Sequence, residues 1–154
     1  MSLNNSINGK NIVVQHLYAT ITTSALYTAY IPYDNTIPQK TEGQEIITLS
    51  ITPKSATNIL VIDWDGAADP SGGQGEHTIA LFQDDTSNAL CAVPESSDGG
   101  APTKAQLVYI MAAGTTSSTT FKIRQGALNE PYSVLGAFFN TARYGVLRIL
   151  EITN

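Results

Sequence analysis

The sequence predicts an all-β protein, a sandwich or barrel of about eight or nine short strands. Three observations support this fold class. Apolar residues alternate with polar ones, or run together over a few positions, in segments rich in Ile, Val and Thr. Turn-forming residues separate these segments at even spacing. No window of about eleven residues keeps a helical apolar stripe free of β-branched runs, so we expect at most one short helical turn.

The individual strands follow from this alternation. The pattern is clearest in residues 44–52, 58–65, 76–83, 104–112, 119–125 and 144–153. Weaker patterns predict edge strands at 12–19 and 25–31 and a short strand at 89–93. The pair Asp84-Asp85 indicates a turn rather than a pair of acting carboxylates, because adjacent strand residues point to opposite faces.

One hairpin is predicted in detail. Residues 107–113 and 119–124 flank a loop in which Gly114 supplies the positive φ that a tight turn needs. Because side chains alternate along a strand, Phe121 should face one side of the second strand and Lys122 the other.

The chain is organised as one domain with a short arm. Its 154 residues are enough to bury about 70% of the surface of the unfolded chain, so stability requires no disulfide or metal. Residues 1–11 are polar and without periodicity, and they lack the basic and apolar regions of a signal peptide. We interpret residues 1–11 as an N-terminal arm and residues 12–154 as a single β-sandwich domain.

Composition argues against several classes of partner. Only 14% of the residues are charged and the net charge is -5, so we expect no nucleic-acid binding, which needs a positive surface. Apolar runs stay below the ~20 residues that a membrane-spanning helix needs, and we expect no membrane insertion. Cys91, the single cysteine, lies in an apolar run and is predicted to be a buried, inert thiol.

No catalytic group is predicted. Nucleophilic catalysis needs a histidine beside a nucleophile, and His16 and His77 both lie inside predicted strands with no elbow motif next to them. The GGQG run at residues 72–75 matches neither the P-loop nor the dinucleotide-binding spacing. We therefore expect neither enzymatic activity nor a cofactor.

Asp63, Asp65 and Asp69 form the most metal-like cluster. Carboxylates at the end of a strand could converge on Ca²⁺, which prefers oxygen ligands. The spacing lacks the later ligands of an EF-hand loop. The alternative, which we favour, is that Asp63 and Asp65 share the solvent face of a strand while Trp64 packs inward. No metal site is predicted.

The closing strand is apolar on both faces. Its even-numbered positions from Val146 to Ile152 and its odd-numbered positions from Leu147 to Glu151 are both mainly apolar. A small domain has little other material to cover two faces, so we predict that another copy of the chain covers one of them. The candidate interface residues are Tyr109, Phe121, Phe138, Phe139, Tyr144, Leu147 and Ile149.

Two irregular stretches, residues 66–75 and 95–102, are built of turn-forming residues and are predicted to be surface loops. Loops held by a rigid scaffold often carry recognition. The candidate recognition residues are Gly72, Gly73, Gln74 and Tyr132. An exposed tyrosine could stack on a sugar, so a carbohydrate-binding module is kept as an alternative.

Four motifs, in this order, resemble a family of phage structural proteins and tail-fibre terminal domains. They are IPYDNTIPQ-x-TEG at 31–43, ITP-x-SATN at 51–58, ALFQD-x-x-SNAL at 80–90 and AGTTSSTTFK at 113–122. The likeness extends over residues 12–153. Such domains are similar to the jelly roll of tumour necrosis factor and C1q, which implies a homotrimer with the closing strand near the three-fold axis. Residues 138–145 depart from the family's usual ending, where small residues and a Gly-rich turn precede the last strand.

The resemblance implies a non-enzymatic bacteriophage virion protein, assembled in the host cytoplasm and displayed on the virion surface. A trimeric module that decorates or cements the capsid through its N-terminal arm is the first interpretation, and a receptor-binding tail-fibre tip is the alternative. The implied partners are other copies of the chain and virion proteins such as the major capsid protein, with host-surface glycans as a further class.

Overall fold

The computed structural model describes residues 11–70, 74–98, 103–128, 132–134 and 145–154. Within these ranges all regular structure is strand, which confirms the predicted fold class, and there is no helix that could cross a membrane. The strands are β1 (Val13–Ile21), β2 (Ala25–Tyr27), β3 (Gln44–Ile51), β4 (Ile59–Pro70), β5 (Gln74–Gln83), β6 (Cys91–Asp98), β7 (Thr103–Ala112), β8 (Thr119–Ala127), β9 (Tyr132–Val134) and β10 (Gly145–Ile152). Every predicted strand is present, and β9 is the one that the sequence pattern missed.

The described strands form two antiparallel sheets that pack as a sandwich. In the first sheet β10 lies between β1 and β4, and β7 pairs with the other edge of β4. Strand β9 pairs with both β4 and β2 and extends this sheet at one end. The second sheet has the order β3-β8-β5-β6. With the order β1-β10-β4-β7 in the first sheet and β3-β8-β5-β6 in the second, the chain follows the path of a jelly roll.

The core lies between the two sheets and is filled by alternate residues of each strand. On β4, Leu60, Ile62 and Trp64 have no exposed surface, whereas the residues between them are partly exposed. The second sheet contributes Ile79, Leu81, Phe121 and Ile123. Lys122 on β8 points the other way, as the alternation predicted. Each fully buried side chain of this size contributes roughly 1.5–3 kcal/mol relative to its exposed state.

Trp64 determines which residues fit at one end of the first sheet. Its buried indole ring lies against Gly66 on its own strand and against Gly145 at the start of β10. A Cβ atom would lie 2.3 Å from the ring at Gly66 and 2.5 Å from it at Gly145. Both distances are shorter than a normal contact, so the two glycines provide the space that the ring occupies.

Glu151 ties the closing strand to the start of the domain and to the turn formed by the ITP-x-SATN motif. Its buried carboxylate accepts hydrogen bonds from the backbone N–H groups of Lys54 at 2.7 Å and Ser55 at 3.2 Å. The side-chain amides of Asn58 at 2.6 Å and Gln15 at 2.5 Å donate to it as well. Burial by itself raises the pKa of Glu151. The four hydrogen bonds together lower this pKa by more than burial raises it, so the pKa lies below its usual value. The motif therefore wraps a buried, ionised carboxylate.

Residues 28–43, which we call the covering segment, lie across the outer face of the second sheet. Ile31 anchors this segment, because its buried side chain packs against Ala80 and Phe82 on that face of β5. The segment ends at Gly43, whose φ of +63° turns the chain into β3. The outward-facing apolar residues of β5 are thus buried within a single chain.

One smaller sequence prediction is confirmed and a second is confirmed in part. Asp84 forms the predicted turn with a φ of +50°, and its carboxylate accepts hydrogen bonds from the Thr119 hydroxyl at 2.8 Å and the Thr120 N–H at 2.7 Å. Cys91 is partly buried at the start of β6, and burial raises the pKa of its thiol to about 11. The thiol is therefore protonated and unreactive at neutral pH.

The predicted hairpin between residues 107–113 and 119–124 was wrong. Both strands are present and Gly114 has the predicted positive φ, at +68°, but β7 belongs to the first sheet and β8 to the second. The loop therefore crosses from one sheet to the other. Sheets pack about 10 Å apart, a distance that a loop of this length spans as readily as it closes a hairpin.

The two predicted surface loops are also shorter than expected. Strand β4 continues through Gly66 to Pro70, and β6 continues through Glu95 to Asp98. The small residues Gly66 to Ala68 are paired with β7 over their whole length. The local preference of these residues is for turns, but pairing with neighbouring strands outweighs that preference here.

We expect Gly145→Ala to lower the free energy of unfolding by about 2–3 kcal/mol, because the added methyl group overlaps the buried indole ring. The control is Gly114→Ala, whose methyl group meets no atom, so that only the φ of +68° opposes it, at a cost of about 1 kcal/mol. Urea denaturation followed by the fluorescence of Trp64, the only tryptophan, measures both losses. Equal losses in the two variants would contradict the close packing at Gly145.

Candidate interaction surface

Exposed large apolar side chains are concentrated on one sheet. Among the described strands, every strand that carries an exposed large apolar side chain belongs to the first sheet. The residues are Val13, Val14, Tyr18, Leu26, Val108 and Ile110. Tyr18 is 67% exposed, Val108 61% and Ile110 62%, although each stands on a well-paired strand. Exposure of this kind, concentrated on one face, marks an interaction surface rather than scattered surface residues.

The strand register places Tyr18, Val108 and Ile110 on the outer face of the first sheet, with residues of β10 and β4 between them. One row across β1, β10, β4 and β7 consists of Tyr18, Arg148, Asp63 and Val108. The next row on the same face consists of His16, Leu150, Val61 and Ile110. Neighbouring strands are about 4.8 Å apart, so these rows form one continuous surface, which we call the interaction face.

The charges on the interaction face are balanced. Arg148 of β10 forms an ion pair and a hydrogen bond with Asp63 of β4. Lys104 of β7 lies 3.8 Å from the carboxylate of Asp65. Two positive and two negative side chains thus cancel on this face, while the whole chain carries a net charge of -5. Another copy of the same face would meet little net repulsion.

These ion pairs also account for the metal-like cluster in the sequence. Asp63 and Asp65 lie on the outer face of β4 while Trp64 is buried, as predicted for the favoured alternative. Within the described residues, no group of three or more His, Cys, Asp or Glu side chains is placed to hold a metal ion. The two carboxylates are directed at basic side chains of neighbouring strands.

The residues proposed from sequence as interface candidates fall into three places. Phe121, Leu147 and Ile149 fill the core of a single chain and have no exposed surface, so their burial needs no partner subunit. Tyr109 is half-buried and packs against the same core. Phe138, Phe139 and Tyr144 lie outside the described residues.

The residues that sequence reasoning missed are Val108 and Ile110. The segment from Leu107 to Met111 is apolar at every position, so alternation alone does not tell which residues face the core. Pairing of β7 with β4 decides it, because Leu107 stands opposite the buried Trp64 while Val108 stands opposite Asp63. The continuous apolar run was the signal in the sequence that both faces of this strand are apolar.

The recognition-loop candidates are only partly placed. Gly72 and Gly73 lie outside the described residues. Gln74 begins β5 and pairs with Asp98 of β6, and Tyr132 belongs to β9, where it pairs with Tyr27. Gln74 and Tyr132 therefore lie in strands and not in a loop of the described residues.

His77 on β5 is a buried ionisable group without a compensating contact. Its side chain is 1% exposed and lies on the core-facing side of the strand, and neither ring nitrogen has a hydrogen-bond partner in the described part of the protein. Its neighbours across the sheet are Glu95 and Ala127. Burial lowers the pKa of His77 to about 4, so the ring is neutral at pH 7.

Comparison with known proteins gives distant structural similarity only. No protein-family model and no curated protein matches the chain. The chain is similar to the C-terminal domain of EclA, a sugar-binding protein, with 12% identity and a TM-score of 0.39 over 93% of this chain and 86% of that chain.

A structure of infectious bursal disease virus, Gx strain, is similar with 11% identity and a TM-score of 0.41 over 91% of this chain and 40% of that chain. Dimeric latent PorU from Porphyromonas gingivalis is similar with 8% identity and a TM-score of 0.44 over 92% of this chain and 13% of that chain. The present chain thus spans less than half of either of these two. Similarity at this level carries no inference about function.

Because His77 takes up a proton near pH 6.5 when unfolded but only near pH 4 when folded, acidification favours the unfolded chain. We expect the free energy of unfolding to fall by roughly 3 kcal/mol on this account between pH 7 and pH 4. His77→Leu should remove this part of the loss, whereas His16→Leu, at an exposed position of β1, should retain it. Urea denaturation at a series of pH values measures the difference, and identical pH profiles for the two variants would contradict the buried neutral ring.

Proposed function

We propose that this protein is a non-enzymatic structural protein of a bacteriophage virion, displayed on the virion surface as a homotrimer that decorates or cements the capsid. The observation that carries the proposal is the interaction face, an exposed apolar sheet surface with balanced charges. A rigid sheet that presents such a face is suited to assembly. The order of the four sequence motifs supports the assignment to a phage virion.

Self-association through the interaction face is supported by its composition and by its place in the fold. Its centre is β10, the closing strand, whose outward residues Leu150 and Ile152 remain partly exposed in a single chain. Burying apolar area contributes about 25 cal/mol per Å², and the face offers apolar side chains on each of four strands. The three-fold stoichiometry comes from the resemblance, which places the closing strand near the trimer axis.

The non-enzymatic character of the proposal is supported by the placement of the histidines. His77 faces the core with both ring nitrogens unpartnered, and His16 lies on the interaction face beside Leu150. Neither has the hydrogen-bonded nucleophile that a triad requires in the described part of the chain. The net charge of -5 supports a protein partner, such as the major capsid protein, over nucleic acid.

We expect the double change Val108→Asp and Ile110→Asp to dissociate the trimer without unfolding the chain. Both positions are more than half exposed in one chain, but in an assembly the new carboxylates would be buried without partners. The dissociation constant should rise at least tenfold, which corresponds to about 1.4 kcal/mol. Sedimentation equilibrium should give three times the chain mass of 16.4 kDa for the wild type and a single chain mass for the variant.

Ile37→Asp is the matched control, because Ile37 is 56% exposed but lies on the covering segment, on the other side of the sandwich. It should leave the trimer intact. Far-ultraviolet circular dichroism of both variants should retain the strand spectrum of the wild type. A wild-type protein that sediments as a monomer, or a double variant that remains trimeric, would refute self-association through this face.

Deletion of residues 1–11 distinguishes a capsid decoration protein from a tail-fibre tip. We expect the truncated protein to remain trimeric but to lose binding to virus particles, because the arm is proposed to dock on the capsid. Co-sedimentation with particles that lack the protein measures binding. If the truncated protein still decorates particles, and particles without the protein no longer adsorb to host cells, the receptor-binding tip replaces the decoration protein.

A further inference from the structure

A small cleft opens between the covering segment and the β5–β6 hairpin. It has a volume of about 130 Å³ and is lined by Tyr33, Glu76, Pro94, Glu95 and Ser96. Glu76 and Ser96 are direct partners across β5 and β6, while Tyr33 comes from the covering segment. Tyr33 is 55% exposed although it is aromatic. The cleft therefore combines residues from two separate parts of the chain that only the fold brings together.

The lining combines two kinds of surface. The rings of Tyr33 and Pro94 are largely apolar, whereas the side chains of Glu76 and Ser96 supply oxygen atoms. Glu95 stands opposite the core-facing His77, so its side chain points to the other face of the sheet and only its backbone borders the cleft. The Glu76 carboxylate forms no ion pair within the described part of the chain, where four other acidic side chains do. It is therefore available as a hydrogen-bond acceptor for a ligand. A few placed polar groups beside an aromatic surface are the usual composition of a small-molecule site.

We propose that this cleft binds one ring of a neutral or amino sugar. A sugar ring exposes C–H groups on its faces and hydroxyl groups around its edge, so that a face suits the ring of Tyr33 and an edge suits Glu76 and Ser96. Hydroxyl donors to an ionised carboxylate make hydrogen bonds about twice as strong as those between neutral groups. The cavity has room for a terminal ring and not for an extended chain of sugars.

The charge of the cleft selects among sugars. An acidic sugar would bring a second negative charge close to Glu76, and like charges at such distances repel. A neutral hexose meets no such repulsion, and a protonated amino sugar is attracted. A simple organic cation would also be attracted to the Glu76 carboxylate and to the ring of Tyr33. It would, however, make no use of the Ser96 hydroxyl or the apolar face of Pro94, so the sugar accounts for more of the lining.

This inference goes beyond the proposed assembly function and does not depend on it. The cleft lies on the outer side of the second sheet, whereas the interaction face belongs to the first sheet. A trimer held through the interaction face would leave the cleft open to solvent. Sugar binding and trimer formation can therefore succeed or fail separately.

Saturation-transfer difference NMR with the full chain tests the cleft. The probes are glucose, galactose, mannose, N-acetylglucosamine and glucosamine, with glucuronic acid and n-butylammonium as charge probes. We expect at least one of the five neutral or amino sugars to bind with a dissociation constant on the order of 1 mM, as befits a single ring in a small site. Glucuronic acid should bind at least tenfold more weakly.

Tyr33→Ala should weaken sugar binding at least tenfold, because the stacking surface is lost. Tyr30→Ala is the matched control, since Tyr30 is 48% exposed on the same covering segment but does not line the cleft, and it should change the affinity less than twofold. Glu76→Gln keeps the shape of the side chain and removes its charge, and it should weaken binding at least threefold. Glu95→Gln, on the opposite face of the same strand pair, is its matched control and should change the affinity less than twofold.

Three results would overturn the proposal. The first is the absence of saturation transfer to all five sugars. The second is equal sugar binding by the wild type and by both Tyr33→Ala and Glu76→Gln. The third is binding of n-butylammonium without binding of any sugar, which would make the cleft a cation site. Circular dichroism of each variant confirms that a loss of binding does not come from unfolding.

Discussion

Insertion of the closing strand between β1 and β4 is the constraint on which the rest of the fold depends. It pairs the two ends of the domain along the full length of β10 and places Leu147 and Ile149 in the core. The buried carboxylate of Glu151 then holds the turn after β3 through backbone and side-chain hydrogen bonds. A buried charge is tolerated only where its acceptor sites are satisfied, and here the turn itself supplies the donors.

The same insertion determines what each side of the first sheet can do. Once the odd-numbered residues of β10 face the core, the even-numbered ones must face outward, together with Val61, Val108 and Ile110. The outer surface is therefore apolar because both faces of these strands are apolar in sequence, not because the core is incomplete. The ion pair of Arg148 and Asp63 keeps this surface electrically neutral. Its charged groups also make contact with a partner depend on the partner's orientation.

The two sheets consequently present different surfaces. On the second sheet, Ile31 of the covering segment buries the outward residues Ala80 and Phe82, and the segment's edge forms the cleft at Tyr33. On the first sheet, Val108 and Ile110 remain open to solvent. An assembly surface on one side and a ligand cleft on the other can coexist in one small domain, because the rigid sandwich separates them and neither requires movement of the other.

Strand positions, the turn at Asp84, the inward direction of Trp64 and the positive φ of Gly114 followed from the sequence alone, because alternation and turn chemistry are local properties. The partner of each strand did not follow. Leu107 to Met111 and the closing strand are apolar on both faces, so only pairing with β4 decided that Val108 faces outward and Leu147 inward. The cleft was equally inaccessible to local reasoning, since Tyr33 and Glu76 are far apart in the chain. They meet because Ile31 docks on β5, and such long-range contacts leave no periodic signal in the sequence.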